Sequence, residues 1–179
     1  TDEVTAIAGA FAVMVALRHR DRTGEGQVVD VNLLDTMLSL MGPLHSAWAQ
    51  LGYLQPRLGS GIPYTVPRGT YRCRDGRWVA VSTSAESIAH RVMQLLGVGD
   101  DERFTTFDGR VAHREELDAI TRDWIGARDH DDVVAAFEAA QAAIAPVYSI
   151  ADVAADPHVQ ARGSLVTVDG VTMPGPIAR

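Results

Sequence analysis

Two side chains in this sequence have the chemistry and the setting to act on a small molecule. They are Asp2, ahead of a long apolar run, and Arg68, in the segment Val66-Pro67-Arg68-Gly69. By residue type alone, Asp2 is a helix cap, because Asp accepts bonds from the free N–H groups of a first turn and suits the positive end of the dipole. Arg68 offers a planar fork of donors that matches two carboxylate oxygens; its plain alternative is a solvated or locally paired guanidinium. Other candidates fail on spacing. Gly24-x-Gly26 has Val29 at the third glycine position of a dinucleotide loop, and it follows a helix and opens a strand, the reverse of the phosphate-binding order. Gly59-Ser60-Gly61 lacks the Gly-x-Ser-x-Gly spacing of a nucleophile elbow and reads as flexible linker, with an active-site lid as the lesser alternative. His19, His45, His90, His113, His130 and His158 show neither the spacing nor the neighbouring acids of a metal site. Cys73 has no basic helix start or histidine nearby to make a thiolate, so it reads as packing.

The elements that must position these residues follow from apolar periodicity and from breakers. Thr1 or Asp2 starts a helix that runs to about Arg22 and stops at Gly24, a typical left-handed C-terminal position. Its stretch from Ala6 to Leu17 is apolar on every side, which predicts a helix surrounded by protein. Gln27 to Val31 reads as a short strand. Leu33 to about Leu51 reads as a second helix, with Gly42-Pro43 as a possible bend. Residues 55–67 carry three prolines and two glycines, too many breakers for a helix or a central strand. They read as a linker between domains.

Beyond it, Gly69 to Arg74 and Arg77 to Ser82 form a predicted hairpin around Asp75-Gly76, with Val79 and Val81 on a covered face. Predicted helices follow at Ala85 to Leu96, Arg114 to Ile125 and Asp131 to Ala142, with a shorter one near Asp100 to Phe107. Ala145 to Tyr148 reads as extended, Ser149 caps a helix through Ala154, and Leu165 to Val168 and Val171 to Met173 close the chain as strands. The expected class is α+β: a helix–strand–helix segment at 1–54, the linker at 55–67, a small α+β domain at 68–165, and a closing segment at 166–179.

Composition narrows the function classes. A chain of 179 residues, 46% hydrophobic, can bury a substantial core. A net charge of -7 argues against a nucleic-acid surface, and the 16 basic residues are all arginine and scattered along the chain. The apolar run of twelve residues is shorter than the ~20 needed to cross a bilayer, and no positive leader precedes it. A single cysteine excludes an internal disulfide and fits a cytoplasmic protein.

Asp2, the helix after it and the turn Thr23-Gly24-Glu25-Gly26-Gln27-Val28-Val29-Asp30-Val31 resemble the family III CoA-transferases, which include carnitine and formyl-CoA transferases and alpha-methylacyl-CoA racemases. Two further blocks extend the likeness over nearly the whole chain. One is Val66-Pro67-Arg68-Gly69-Thr70-Tyr71 with Asp75 to Val81; the other is Ala145 to Tyr148 with Asp156-Pro157-His158-Val159 and Arg162-Gly163.

The resemblance implies that Asp2 is the catalytic aspartate, that the sequence is the C-terminal part of the family's chain, that 1–54 belongs to the family's large domain, and that 166–179 is a return segment towards that domain. It implies an acyl-CoA and a carboxylic acid as substrates, coenzyme A entering as a thioester with no tightly bound cofactor, and a CoA-binding region upstream in an interlocked homodimer. Two other outcomes remain open on this likeness: a racemase that uses the same aspartate as a base, and a non-catalytic half that needs a partner chain. The Val66-Pro67-Arg68-Gly69 block is the more transferase-like.

Overall fold

A computed structural model describes residues 1–176 and divides between Arg57 and Leu58 into two units. Residues 177–179, the end of the return segment expected at 166–179, lie outside the described residues.

The first unit is helical. Helix α1 (Asp2–Thr23) ends at Gly24, whose φ of 80° is left-handed and whose N–H closes on the Arg20 carbonyl at 2.7 Å. Glycine takes that conformation without the clash a Cβ would bring. Although α1 is apolar all round from Ala6 to Leu17, none of its residues is buried among those described, and Phe11 is 72% exposed. The enclosure expected from its sequence is therefore not supplied there.

The expected strand at Gln27 to Val31 does not form, and Val28 is almost fully exposed. Valine fits a pleated, half-buried surface, but no described strand lies alongside to supply a ladder. The single helix expected over 33–51 is two, α2 (Leu33–Leu40) and α3 (Leu44–Leu51). Gly42, at φ 61°, and Pro43, which has no N–H to donate, break it. Asn32 caps α2 by accepting from the Asp35 N–H at 2.8 Å.

The second unit contains the core. Strands β1 (Arg68–Arg72), β2 (Trp78–Ser82) and β3 (Ile144–Pro146) make an antiparallel sheet in that order, with β2 central. Along β2 the side chains alternate: Val79 and Val81 are buried, while Trp78, Ala80 and Ser82 face the other way. Helices α4 (Glu86–Leu95), α6 (Arg114–Gly126) and α7 (His130–Ala139) supply much of the rest of the cluster, and α5 (Phe107–Ala112) packs Val111 against it. Tyr71, Val79 and Val81 share it with Val92, Leu117, Ile125, Val133 and Phe137. Each such aliphatic or aromatic burial contributes about 1.5–3 kcal/mol. Phe137 is fully enclosed and meets Trp124 edge-on, with ring centroids 5.9 Å apart.

Charge clamps the hairpin turn to the start of α7. Arg74 grips Asp129 through Nε at 2.9 Å and Nη2 at 2.7 Å, and Arg77 pairs with both Asp75 and Asp131. Asp75 also accepts the His130 N–H at 3.1 Å. Short helices α8 (Ile150–Ala155) and α9 (Pro157–Arg162) follow, then a separate hairpin of β4 (Leu165–Val168) and β5 (Val171–Pro174). A capping box of Ser149 and Asp152 starts α8. The sequence reading missed α9, although Asp156 followed by Pro157 is a start signal: the Asp156 carboxylate accepts from the N–H groups of His158 and Val159. The class is α+β, as expected.

Candidate active site

Asp2 is the first residue of α1. The cap position belongs to Thr1, whose carbonyl, not its side chain, receives the Thr5 N–H at 3.0 Å. The Asp2 carboxylate is therefore not needed to close the first turn. It is exposed and accepts the Thr1 hydroxyl at 3.0 Å. At this end the helix presents free N–H groups and the positive end of its dipole, which favour a carboxylate and any negative charge that develops beside it.

Arg68 belongs to the second unit, where it opens β1 and is half-buried. Its Nη1 donates to the Ser84 hydroxyl at 3.1 Å. Cavities of about 390 and 230 Å³ flank it, and Ser60 and Thr70 line both.

The loop before β1, read from the sequence as linker, is fastened to the second unit. Ser60 Oγ accepts the Thr70 N–H at 2.9 Å, Thr83 donates to the Pro67 carbonyl at 2.8 Å, and Arg114 Nη2 donates to the carbonyls of Ile62 and Pro63, each at 2.8 Å. Thr65 and Val66 are buried. Gly61 fits closely where it stands, since a Cβ there would lie 3.2 Å from the Arg68 carbonyl and 3.3 Å from the Leu58 carbonyl, tighter than an ordinary contact.

Sequence reasoning missed Ser60, Arg114, Asp118 and Arg122. A signal was present: Arg114, Asp118 and Arg122 recur every four residues and share one face of α6. Asp118 accepts the Tyr71 hydroxyl at 2.9 Å, and Arg122 lies across the smaller cavity. Burial pushes the Tyr71 hydroxyl well above its ordinary pKa of 10.0, and the charge and hydrogen bond of Asp118 push it further.

A third cavity, of about 430 Å³, lies in the first unit and is mainly apolar, between Met41, His45, Trp48 and Leu54. Among the described residues no group of three or more His, Cys, Asp or Glu is placed to hold a metal, and no helix is long and apolar enough to cross a membrane. Cys73 is buried and its thiol is pushed up, first by burial and then by the Asp75 charge, so it is a packing group as expected.

The family model for CoA-transferase family III matches residues 1–179, and the chain belongs to that family. It is 28% identical over 171 residues to the succinyl-CoA–L-malate CoA-transferase alpha subunit of Chloroflexus aurantiacus, covering 94% of this chain and 40% of the relative. It is 32% identical over 180 residues to the succinate–glutarate CoA-transferase of Agrobacterium fabrum (strain C58), covering 97% and 45%. Among solved structures it is similar to a CAIB/BAIF family protein from Brucella suis, with a TM-score of 0.78 and 30% identity over 98% of this chain and 47% of that one. The chain thus spans less than half the length of these relatives.

Proposed function

We propose that the whole protein moves coenzyme A from an acyl-CoA donor to a carboxylic acid, with Asp2 as the nucleophile. The observation that carries this reading is an exposed carboxylate at the N-terminus of a 22-residue helix, in a chain matched along its length by a CoA-transferase family. An Asp2 oxygen attacks the thioester carbonyl carbon; the C–S bond breaks and CoA leaves as the thiolate, giving a mixed anhydride. The thiolate then attacks the Asp2 carbonyl carbon, releasing the donor acid and leaving an aspartyl-CoA thioester. The acceptor carboxylate repeats the two steps in reverse order, and Asp2 ends as a free carboxylate.

Energetics set what must accompany Asp2. A carboxylate with a pKa of about 3.9 displaces a thiolate whose acid has a pKa of about 8.5, so the first step runs uphill. Free N–H groups at the start of α1 suit a developing oxyanion, and binding energy from remote parts of CoA supplies the rest. Short dicarboxylic acids are the favoured substrate class, since the relatives are named for succinyl, malate and glutarate groups.

The test uses the full-length protein. Wild type incubated with succinyl-CoA is expected to show an aspartyl-CoA adduct on Asp2 by mass spectrometry, and Asp2→Ala is expected to lose both adduct and transfer, by at least ~10³-fold in kcat. Undiminished transfer by Asp2→Ala sinks the assignment. Deuterium uptake at the carbon next to the thioester without an acceptor acid would instead favour the racemase.

A second inference concerns assembly. A helix apolar on every side from Ala6 to Leu17 with no buried residue among those described, and relatives named as alpha and beta subunits, support a partner chain against the first unit, in an interlocked homodimer or with a separate subunit.

A further inference from the structure

The outer face of the three-stranded sheet carries the cavity of about 390 Å³, built wholly from the second unit. Strand register lays its floor. Arg68 stands opposite Ser82, Thr70 opposite Ala80, and Ala80 opposite Ala145. Alternation turns these small residues away from Val79 and Val81, which face the core. Ser60 forms a wall, its Oγ bound to the Thr70 N–H at 2.9 Å and to the Thr70 hydroxyl at 3.1 Å. Gly69 belongs to the same construction, since a Cβ there would lie 3.1 Å from Ser60 Oγ.

Arg68 is the charged side chain lining this space. Its hydrogen bond goes to a neutral hydroxyl, and no ion pair among the described residues includes it. By contrast, Arg20, Arg74, Arg77, Arg103 and Arg110 each hold an acid of this chain within 3.0 Å. A guanidinium free of its own chain's carboxylates, beside an open cavity floored by small neutral groups, is available to an anion from solution. Its planar fork matches a carboxylate. One positive charge balances one carboxylate, whereas a terminal phosphate carries up to about two negative charges near neutral pH and leaves one unmatched.

We propose that this cavity binds one carboxylate of a short aliphatic dicarboxylic acid, with Arg68 as the residue that selects it. The identity of the ligand rests on the CoA-transferase reading; the carboxylate chemistry rests on the cavity itself.

Calorimetric binding of succinate and of succinamide, its uncharged diamide counterpart, to the intact protein tests this. Wild type is expected to favour succinate about 30-fold, the worth of a charge-assisted hydrogen bond, and the ratio is expected to fall to about one in Arg68→Gln. Ala80→Leu fills the floor without touching the charge and is expected to weaken succinate at least ~10-fold. No preference for succinate in wild type, or a ratio retained in Arg68→Gln, overturns the proposal. A larger loss of affinity for coenzyme A than for succinate in that variant also overturns it, by assigning the cation to a phosphate. If circular dichroism shows Arg68→Gln unfolded, Ala80→Leu decides, and unchanged succinate affinity there is an overturning result. Failure of the CoA-transferase reading shows separately, as no adduct on Asp2 whichever way the binding ratio falls.

Discussion

Tyr71 shows how one side chain in this chain ties folding to pH. Its ring belongs to the core, and its hydroxyl donates to Asp118 at 2.9 Å beside the smaller cavity next to Arg68. Burial and the neighbouring carboxylate both resist ionisation, so the folded pKa lies above the ordinary value of 10.0. The sign follows: the contribution is fully present below pH 10 and is lost as the pH rises from there towards the folded value, because the unfolded chain ionises first. Tyr71→Phe is expected to lower stability at neutral pH by about 1 kcal/mol, the loss of one hydrogen bond. It is also expected to flatten the fall of Tm between pH 9.5 and 11, followed by circular dichroism. An alkaline slope as steep as that of wild type rules out Tyr71 as its source.

At the scale of elements, the clamp between the β1–β2 turn and the start of α7 is built from exposed charges that act together. The Arg74 guanidinium holds the Asp129 carboxyl below its ordinary 3.8, and hydrogen bonds from Arg77 and then His130 do the same for Asp131. Burial pushes Asp75 up, but the N–H groups of His130 and Arg77 and the Arg77 guanidinium outweigh it, so its pKa is also lowered. Groups with depressed values contribute stability above about pH 3.8, and that contribution is lost as the pH falls through their folded values. The double variant Asp129→Asn, Asp131→Asn is therefore expected to show a shallower loss of Tm between pH 5 and 2 than wild type; an unchanged acid slope places the acid lability elsewhere. This hairpin was legible in the sequence because Asp75-Gly76 and the alternation of Val79 and Val81 are short-range signals. Its fastening was not, since Arg74 and Asp129 are 55 residues apart and only the fold joins them. The false strand at 27–31 and the single helix over 33–51, with at most a bend at Gly42-Pro43, failed for the opposite reason: local propensity was followed where a partner strand was lacking and where the Gly-Pro pair breaks the helix rather than bending it. Of the candidate site, Asp2 is named from the family likeness and Arg68 from its chemistry. Ser60 and the Arg114-Asp118-Arg122 row were not legible, because a loop serine and a polar helix face look the same whether or not they border a cavity.

At the scale of the whole molecule, the two units differ in what holds them. The second has thirteen hydrophobic residues in one buried cluster, while no residue of 1–57 is buried among those described. Amide exchange follows the free energy of the smallest opening that exposes a bond, and helices without buried side chains open by fraying alone. In this chain by itself, the amides of α1, α2 and α3 are expected to exchange within seconds to minutes at neutral pH, measured by hydrogen–deuterium exchange with mass spectrometry. Those of β2, α6 and α7 are expected to persist until global opening. Phe137→Ala, a core cavity that costs about 3–5 kcal/mol, is expected to speed exchange throughout the second unit and leave the first unit's rates unchanged. Slow exchange in α1 of the lone chain would mean that something covers Phe11 and Met14 in solution, and if that protection fades on dilution the cover is a second copy. Rapid exchange that slows only with an added upstream region or partner subunit would identify that added chain as the cover.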